Sequence, residues 1–289
     1  MKRVNIYIVL GFQQLIAGGT HIVAKLVVVD VEPTIVLFLR TLISITGMLL
    51  IFFSKHRELG IEKKDWRWLV LLGFLGIPLN QGLYLYGMKY TTAANGALLY
   101  AATPSFVLLL SHYLANERIT LRKSAGIFLA FIGIIIVIFE KGINISSEYT
   151  FGNILILVAV VAWALFTVMG KTMILKYGAL RTTTSMMLAG TLMFLPIGVY
   201  ESIQFPFSAM SHSAWWGVLY LGVGTSILGY LIWYYAIGRI ETAKVAVFSN
   251  AQPIFATLLS LIFLDYSITG SFILGACITI AGVIITQLG

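Results

Sequence analysis

The sequence predicts an all-α integral membrane protein with ten transmembrane helices, arranged as two inverted five-helix repeats. Composition, the positions of the apolar segments and an internal repeat predict this fold class. Of the 289 residues, 59% are hydrophobic and only 10% are charged, and the mean hydropathy is +0.95. Soluble domains carry about 25% charged residues, so most of the surface of this protein must face lipid.

Ten segments are long and apolar enough to cross a bilayer, which takes about 20 residues of helix. In chain order they are 6–29, 34–53, 68–88, 94–114, 122–140, 151–173, 180–200, 214–236, 243–264 and 268–288. The first has no small-residue cleavage site after it and is interpreted as a transmembrane helix rather than a signal peptide. The single cysteine, Cys277, excludes disulfides and cysteine metal sites, and we expect it to be a small core residue.

The basic residues predict the orientation of the chain, because Lys and Arg in short loops are retained on the cytoplasmic side. With the N-terminus inside, fifteen of the nineteen fall on that side, Lys89 and Lys141 lie outside, and Lys25 and Arg40 lie within spans. We therefore expect a multi-pass protein of the cell (plasma or inner) membrane with both termini cytoplasmic. Since the net charge of +8 comes from these loops, no nucleic-acid partner is expected.

An internal repeat divides the chain into two halves, 1–140 and 151–289. A shift of 149 residues pairs Tyr86 with Tyr235, Ala97 with Ala246, Pro104 with Pro253, Gly126 with Gly275 and Gly133 with Gly282. Near the start of each half the shift is 146, which pairs Lys25 with Lys171. Five spans per half is an odd number, so the second half must be inverted in the membrane. Many secondary transporters have this plan, in which the halves exchange conformations to give alternating access.

Several motifs resemble a known family. They are Phe38-Leu39-Arg40, Ala93-Ala94-Asn95-Gly96-Ala97-Leu98-Leu99-Tyr100-Ala101-Ala102-Thr103-Pro104, Asn116-Glu117-Arg118-Ile119-Thr120, and Gly126 with Gly133. Together they resemble the EamA-type half of the drug/metabolite transporter superfamily, and the resemblance covers the whole chain as two EamA-like halves. It implies ten helices around a central cavity lined by spans 1, 3, 4, 6, 8 and 9, and substrates that range over amino acids, metabolites and drugs. Where the family often has Gly-Glu after spans 4 and 9, this chain has Asn116-Glu117 and Asp265-Tyr266.

Matched prolines mark the expected binding site. Pro104 and Pro253 lie near the middle of spans 4 and 9, where each removes a backbone hydrogen bond, and matched interruptions of this kind indicate a midplane site. Polar groups within spans should turn away from lipid. The candidate substrate-binding residues are Gln14, His21, Lys25, Arg40, Asn80, Gln81, Tyr84, Tyr100, Thr103, Tyr230, Trp233, Ser249 and Gln252.

Charge within the spans suggests the class of solute. Arg40 or Lys25 could attract a carboxylate, whereas the central part of every span lacks Asp and Glu. These features favour a transporter of small organic metabolites such as amino acids, most simply an exporter. Broad-specificity efflux of amphipathic compounds remains an alternative.

Other function classes find little support in the sequence. A channel is disfavoured by the inverted plan, and a membrane enzyme by the lack of a zinc, nucleophile-elbow or phosphate-loop motif. No catalytic residue, metal or cofactor is expected. The expected partners are a small-molecule solute and the lipid bilayer, and the sequence does not indicate the oligomeric state.

Overall fold

A computed structural model describes residues 3–56, 58–115, 120–141, 147–264 and 268–288. Within these ranges the chain forms ten spans: α1 (Arg3–Asp30), α2 (Pro33–Phe53), α3 (Lys63–Tyr90), α4 (Ala93–Leu114), α5 (Leu121–Ile138), α6 (Glu148–Tyr177), α7 (Ala179–Gln204), α8 (His212–Ile237), α9 (Thr242–Phe263) and α10 (Gly270–Leu288). Nine are long and apolar enough to cross a membrane, and α10 is a 19-residue apolar helix. The predicted all-α membrane fold is confirmed.

Two expectations from the sequence have a different outcome. Cys277 is exposed on α10 rather than packed in the core, so that prediction is wrong. In a helix that is apolar on all sides, the sequence does not show which face packs against the protein and which faces lipid. The motif residues Asn116-Glu117-Arg118-Ile119 and the pair Asp265-Tyr266 lie outside the described residues.

Helices α5 and α10 pack against each other at paired glycines. A Cβ atom on Gly126 would lie 2.6 Å from the carbonyl oxygen of Gly282, and one on Gly133 would lie 2.6 Å from that of Gly275. The 149-residue shift converts each of these contacts into the other, as in an isologous two-fold interface. The helices run antiparallel, as two inverted copies must.

A second pair of glycine contacts obeys the same two-fold relation. A Cβ atom on Gly73 of α3 would lie 2.5 Å from the carbonyl oxygen of Met186 on α7. In the contact that the two-fold relation pairs with it, a Cβ atom on Gly222 of α8 would lie 3.5 Å from the carbonyl oxygen of Arg40 on α2. Arg40 and Met186 are related by the 146-residue shift. The pairs α3–α7 and α8–α2 are therefore equivalent, pack at equivalent points, and each join one half to the other.

Four spans depart from regular α-helix at their centres. The α4 helix breaks at Ala102, just before Pro104, and α9 has a short 3₁₀ turn at Phe248–Ala251, just before Pro253. Both interruptions fall where the prolines predict them. In α3 and α8, π-helical segments occupy Leu75–Gly82 and Tyr220–Gly229, and only the first contains a proline. All four irregular segments surround the centre of the molecule.

Ionic contacts join α3 to α6 at the predicted cytoplasmic side. Lys176 Nζ lies 2.6 Å from Asp65 Oδ2 and 2.7 Å from Glu62 Oε1, and the Tyr177 hydroxyl donates to Asp65 Oδ2 at 2.5 Å. These contacts hold the end of α6 on the beginning of α3.

Candidate functional site

The irregular segments surround a central cavity of about 70 Å³. Its lining residues are Gln13, Ala17, Thr20 and His21 of α1, Arg40 of α2, Asn80, Gln81 and Tyr84 of α3, Tyr100 of α4, Trp163 of α6, Thr225, Gly229, Tyr230 and Trp233 of α8, and Gln252 of α9. Hence α2 joins the six spans that the resemblance implies. A cavity of this volume has room for a few water molecules, each of which needs about 10–15 Å³.

Nine of the thirteen candidate residues line this cavity: His21, Arg40, Asn80, Gln81, Tyr84, Tyr100, Tyr230, Trp233 and Gln252. Sequence reasoning missed six lining residues. Gln13, Thr20 and Thr225 are polar residues within spans and could have been found by the argument that selected Gln14 and Gln81. Ala17, Gly229 and Trp163 could not have been found in this way, because residues of these types are common throughout apolar helices.

The remaining four candidates do not line the cavity. Gln14 and Thr103 lie one layer behind it, and Thr103 donates its hydroxyl to the carbonyl of Tyr100 at 2.6 Å. This is the carbonyl that Pro104 frees. The Lys25 ammonium donates to the carbonyls of Met88 and Lys89 at the end of α3, at 2.9 and 3.2 Å. Ser249 is buried, and its hydroxyl has no partner among the described residues.

Arg40 is the cation of the cavity. Its side chain is 3% exposed, and its Nε atom donates to Ser226 Oγ at 2.8 Å. Among the described residues no ion pair involves Arg40, and no lining residue is Asp or Glu. The remaining N–H groups of the guanidinium are therefore free to bind an anionic group in the cavity.

A chain of hydrogen bonds joins α3, α1 and α9 along one wall. The Tyr84 hydroxyl lies 2.9 Å from His21 Nδ1, and His21 Nε2 lies 3.0 Å from Gln252 Oε1. Gln252 Nε2 donates to Gln14 Oε1 at 2.9 Å, and Gln14 in turn donates to Gln13. Because the amide oxygen of Gln252 accepts, the proton of a neutral His21 must sit on Nε2 and Tyr84 must donate to Nδ1.

The two-fold relation extends into the cavity. Trp233 Nε1 donates to Thr167 Oγ1 at 3.2 Å, and these residues are the repeat partners of Tyr84 and His21. Gln81 Nε2 donates to the Tyr230 hydroxyl at 2.9 Å, and these two residues are partners of each other. A contact between repeat partners must lie close to the two-fold axis. The axis therefore passes through the cavity.

Aromatic rings form the opposite wall. Trp163 lies 5.1 Å from Tyr230 in an edge-to-face arrangement and 5.5 Å from Trp233, measured between ring centroids. Phe166 packs behind them, stacked on Tyr234 at 4.8 Å. One side of the cavity thus offers an apolar surface, and the other offers amides, hydroxyls and a guanidinium.

This arrangement suits binding. The lining carries donors, acceptors and a fixed positive charge, together with large rings, which is the usual composition of a small-molecule pocket. Within the described residues no group of three His, Cys, Asp or Glu side chains could hold a metal ion.

Comparisons with known proteins agree with this architecture. The model of the EamA-like transporter family matches residues 6–139 and 150–288. The uncharacterized transporter YetK of Bacillus subtilis is 30% identical, over 99% of this chain and 87% of its own length. An uncharacterized transporter of Archaeoglobus fulgidus is 29% identical, over 97% of this chain and 96% of its own length.

Two further matches extend the comparison. A probable terminal-alkyne amino-acid exporter of Streptantibioticus cattleyicolor is 26% identical, over 78% of this chain and 76% of its own. One crystal structure has a TM-score of 0.71 at 19% identity, covers 96% of this chain and 94% of its own, and shows likeness of fold.

Proposed function

Since the chain belongs to the EamA-like transporter family, and so is a multi-pass membrane transporter of the drug/metabolite superfamily, we propose that it exports small carboxylated metabolites such as amino acids by alternating access. The carboxylate binds Arg40. The aromatic wall contacts the remainder of the solute. Export is supported by the relative named as a probable amino-acid exporter.

The isolated charge of Arg40 carries the proposal. A buried charge without a partner is costly, and its removal from water is offset by a counter-charge and further hydrogen bonds. Arg40 has one serine partner and no carboxylate partner among the described residues. A solute carboxylate can accept two parallel hydrogen bonds from a guanidinium. The solute would therefore supply the charge that the cavity lacks.

A second group in the cavity suits the ammonium of an amino acid. Gln81 is 2% exposed and lines the cavity, and its Oε1 atom has no hydrogen-bond partner among the described residues. A buried acceptor without a donor costs about 1–3 kcal/mol, which an N–H donor of the solute would recover. Rings such as Trp163 and Tyr230 can also attract a cation through their faces.

The size of the cavity agrees with a transport cycle. Ligand pockets have volumes of about 300–1,000 Å³, far above the 70 Å³ of this cavity. The helices must separate before a solute can enter. The irregular segments of α3, α4, α8 and α9 are suitable places for such movement, because their backbone hydrogen bonds already depart from the regular ladder.

The test is Arg40→Gln in purified protein in vesicles, with uptake of an amino acid compared with that of its amide or ester. We expect transport efficiency for the carboxylated solute to fall by at least about 30-fold, because truncation of one partner of a buried charge pair costs about 2–5 kcal/mol. Transport of the neutral solute should change little. Arg40→Lys should retain part of the activity, since the charge remains but the bidentate geometry is lost.

The matched control is Lys89→Gln, which also removes one positive charge, but from an exposed lysine that forms an ion pair with Glu32. Lys89→Gln should leave unchanged the ratio of transport efficiencies for the carboxylated and the neutral solute. An equal loss for both solutes in well-folded Arg40→Gln protein would contradict the proposal. Such a result would favour efflux of diverse amphipathic compounds, for which the aromatic wall of Trp163, Tyr230 and Trp233 would be the main binding surface.

A further inference from the structure

A groove of about 400 Å³ lies between α1 and α8, at the end of α1 that carries Asp30. Its lining residues are Val23, Leu26, Val27, Val29, Asp30, Ser213, Ala214, Trp216, Gly217 and Tyr220. Apolar side chains dominate it, and its rim is open, because Val29 and Trp216 are each 71% exposed. Besides the indole N–H of Trp216, the polar side chains of the lining are Asp30 and Ser213 near one end and Tyr220 near the other.

Three hydroxyl groups separate this groove from the central cavity. Tyr220 lines the groove, whereas Thr20 and Thr225 line the cavity. The Tyr220 and Thr20 hydroxyls both donate to the carbonyl of Ile16, at 2.7 and 2.8 Å. Thr225 lies 2.7 Å from Thr20 and must be the donor of that bond, because the proton of Thr20 is already committed.

The local backbone places these hydroxyls together. Tyr220 and Thr225 are five residues apart, and the π-helical segment Tyr220–Gly229 joins residues at that spacing, so both can face α1. On α1, Gly19 leaves room for the Tyr220 ring, since a Cβ atom there would lie 2.6 Å from the hydroxyl oxygen. We call Thr20, Tyr220 and Thr225 the hydroxyl cluster.

The α3–α6 interface, which the two-fold relation pairs with α1–α8, is held by charges. The repeat shifts relate Asp30 to Lys176 and Ser211 to Glu62. Lys176 binds both Glu62 and Asp65, at 2.7 and 2.6 Å, whereas Ser211 donates to Asp30 at 3.5 Å. Among the described residues no ion pair joins α1 to α8, and the polar contacts near the cavity are neutral hydrogen bonds.

We propose that the groove is the passage by which the solute moves between the cavity and the Asp30 side of the membrane, and that the hydroxyl cluster is its gate. This inference rests on the proposed transport function. The occupant is the solute because a single layer of side chains separates the groove from its binding cavity. The apolar walls suit the apolar part of such a solute, and neutral hydrogen bonds between helices are weak enough to break and re-form in each cycle.

The test measures access to the cavity in protein with Cys277→Ser and Ala17→Cys, since Ala17 lines the cavity. A membrane-impermeant maleimide is applied from the Asp30 side. Tyr220→Phe should speed labelling by about threefold, the equivalent of one interhelical hydrogen bond. Gly19→Ala should speed it as well, because the added methyl group displaces the Tyr220 hydroxyl. The matched controls are Gly11→Ala, where nothing lies within 4 Å of the new Cβ atom, and the exposed Tyr200→Phe.

A blocking variant tests the passage itself. Ser213 is exposed at the rim of the groove, so Ser213→Trp fills the groove without disturbing the core and should slow both labelling and transport. Leu192→Trp, at an exposed position on α7, is the control and should change neither.

Three results would overturn the inference. The first is an unchanged labelling rate in Tyr220→Phe, Gly19→Ala and Ser213→Trp. The second is labelling of Ala17→Cys only when the maleimide is added from the side opposite Asp30. The third is that Ser213→Trp displaces a photo-crosslinked lipid while the labelling rate stays unchanged. The last result would make the groove a lipid site. Labelling requires no knowledge of the solute, so failure of the gate can be told apart from failure of the proposed substrate class.

Discussion

At the scale of single residues, Lys25 and Arg40 show what a sequence can and cannot predict. Both are cations within predicted spans, and both were expected to attract a carboxylate. Arg40 lines the cavity, whereas Lys25 binds the carbonyls of Met88 and Lys89 at the end of α3. Periodicity places Lys25 on the same helix face as His21, but it contains no information about which helix ends nearby. That contact depends on the packing of α1 against α3.

Gln81 provides a prediction about the ammonium group. Gln81→Met should lower transport of an amino acid more than transport of the same carboxylate without its amino group, by about fivefold or more, since an unpaired buried partner costs about 1–3 kcal/mol. Competition between the two solutes in vesicles measures the ratio.

Tyr230→Phe is the control for this experiment. It breaks the bond between Gln81 and Tyr230 but leaves the free amide oxygen in place. If Tyr230→Phe alters the ratio as much as Gln81→Met does, the amide oxygen does not recognise the ammonium.

At the scale of elements, the prolines predicted where two helices are interrupted, whereas nothing in the sequence predicted the two π-helical segments. Pro104 and Pro253 predict interruptions, and α4 and α9 are interrupted just before them. The π-helical segments of α3 and α8 accommodate extra residues in a turn without changing the apolar character of the span. Hydropathy therefore cannot detect them, and the shared direction of Tyr220 and Thr225 towards α1 could not be inferred from helical periodicity.

The glycine contact between α5 and α10 provides a prediction about stability. A Cβ atom on Gly133 would lie 2.5 Å from the backbone nitrogen of Thr279 and 2.6 Å from the carbonyl oxygen of Gly275. Gly133→Ala must push the two helices apart, and overpacking of this kind costs about 1–3 kcal/mol. We expect a lower melting temperature in detergent.

Gly270→Ala on α10 is the matched control, because nothing lies within 4 Å of its new Cβ atom. It should leave the melting temperature unchanged. Equal melting temperatures for Gly133→Ala and the unaltered protein would mean that α5 and α10 do not pack at this glycine.

At the scale of the whole molecule, the orientation in the membrane is a prediction from the basic residues. In a Cys277→Ser background, Lys55→Cys lies in the loop between α2 and α3, and Ser208→Cys lies in the loop between α7 and α8. A membrane-impermeant maleimide added to intact cells should label Ser208→Cys and spare Lys55→Cys until the cells are opened. The reverse pattern would place the termini and the ionic cluster around Asp65 outside.

The two-fold axis through the cavity has a consequence for how such a site could arise. Two identical chains related by that axis would each contribute the same residue, so an arginine at the position of Arg40 would face a second arginine at the position of Met186. Two like charges beside one small cavity repel each other. Joining the two copies in one polypeptide lets each position mutate alone, so that one copy can carry Arg and the other Met. A binding site with a single positive charge therefore requires two halves of different sequence, and a symmetric dimer of either half could not form it.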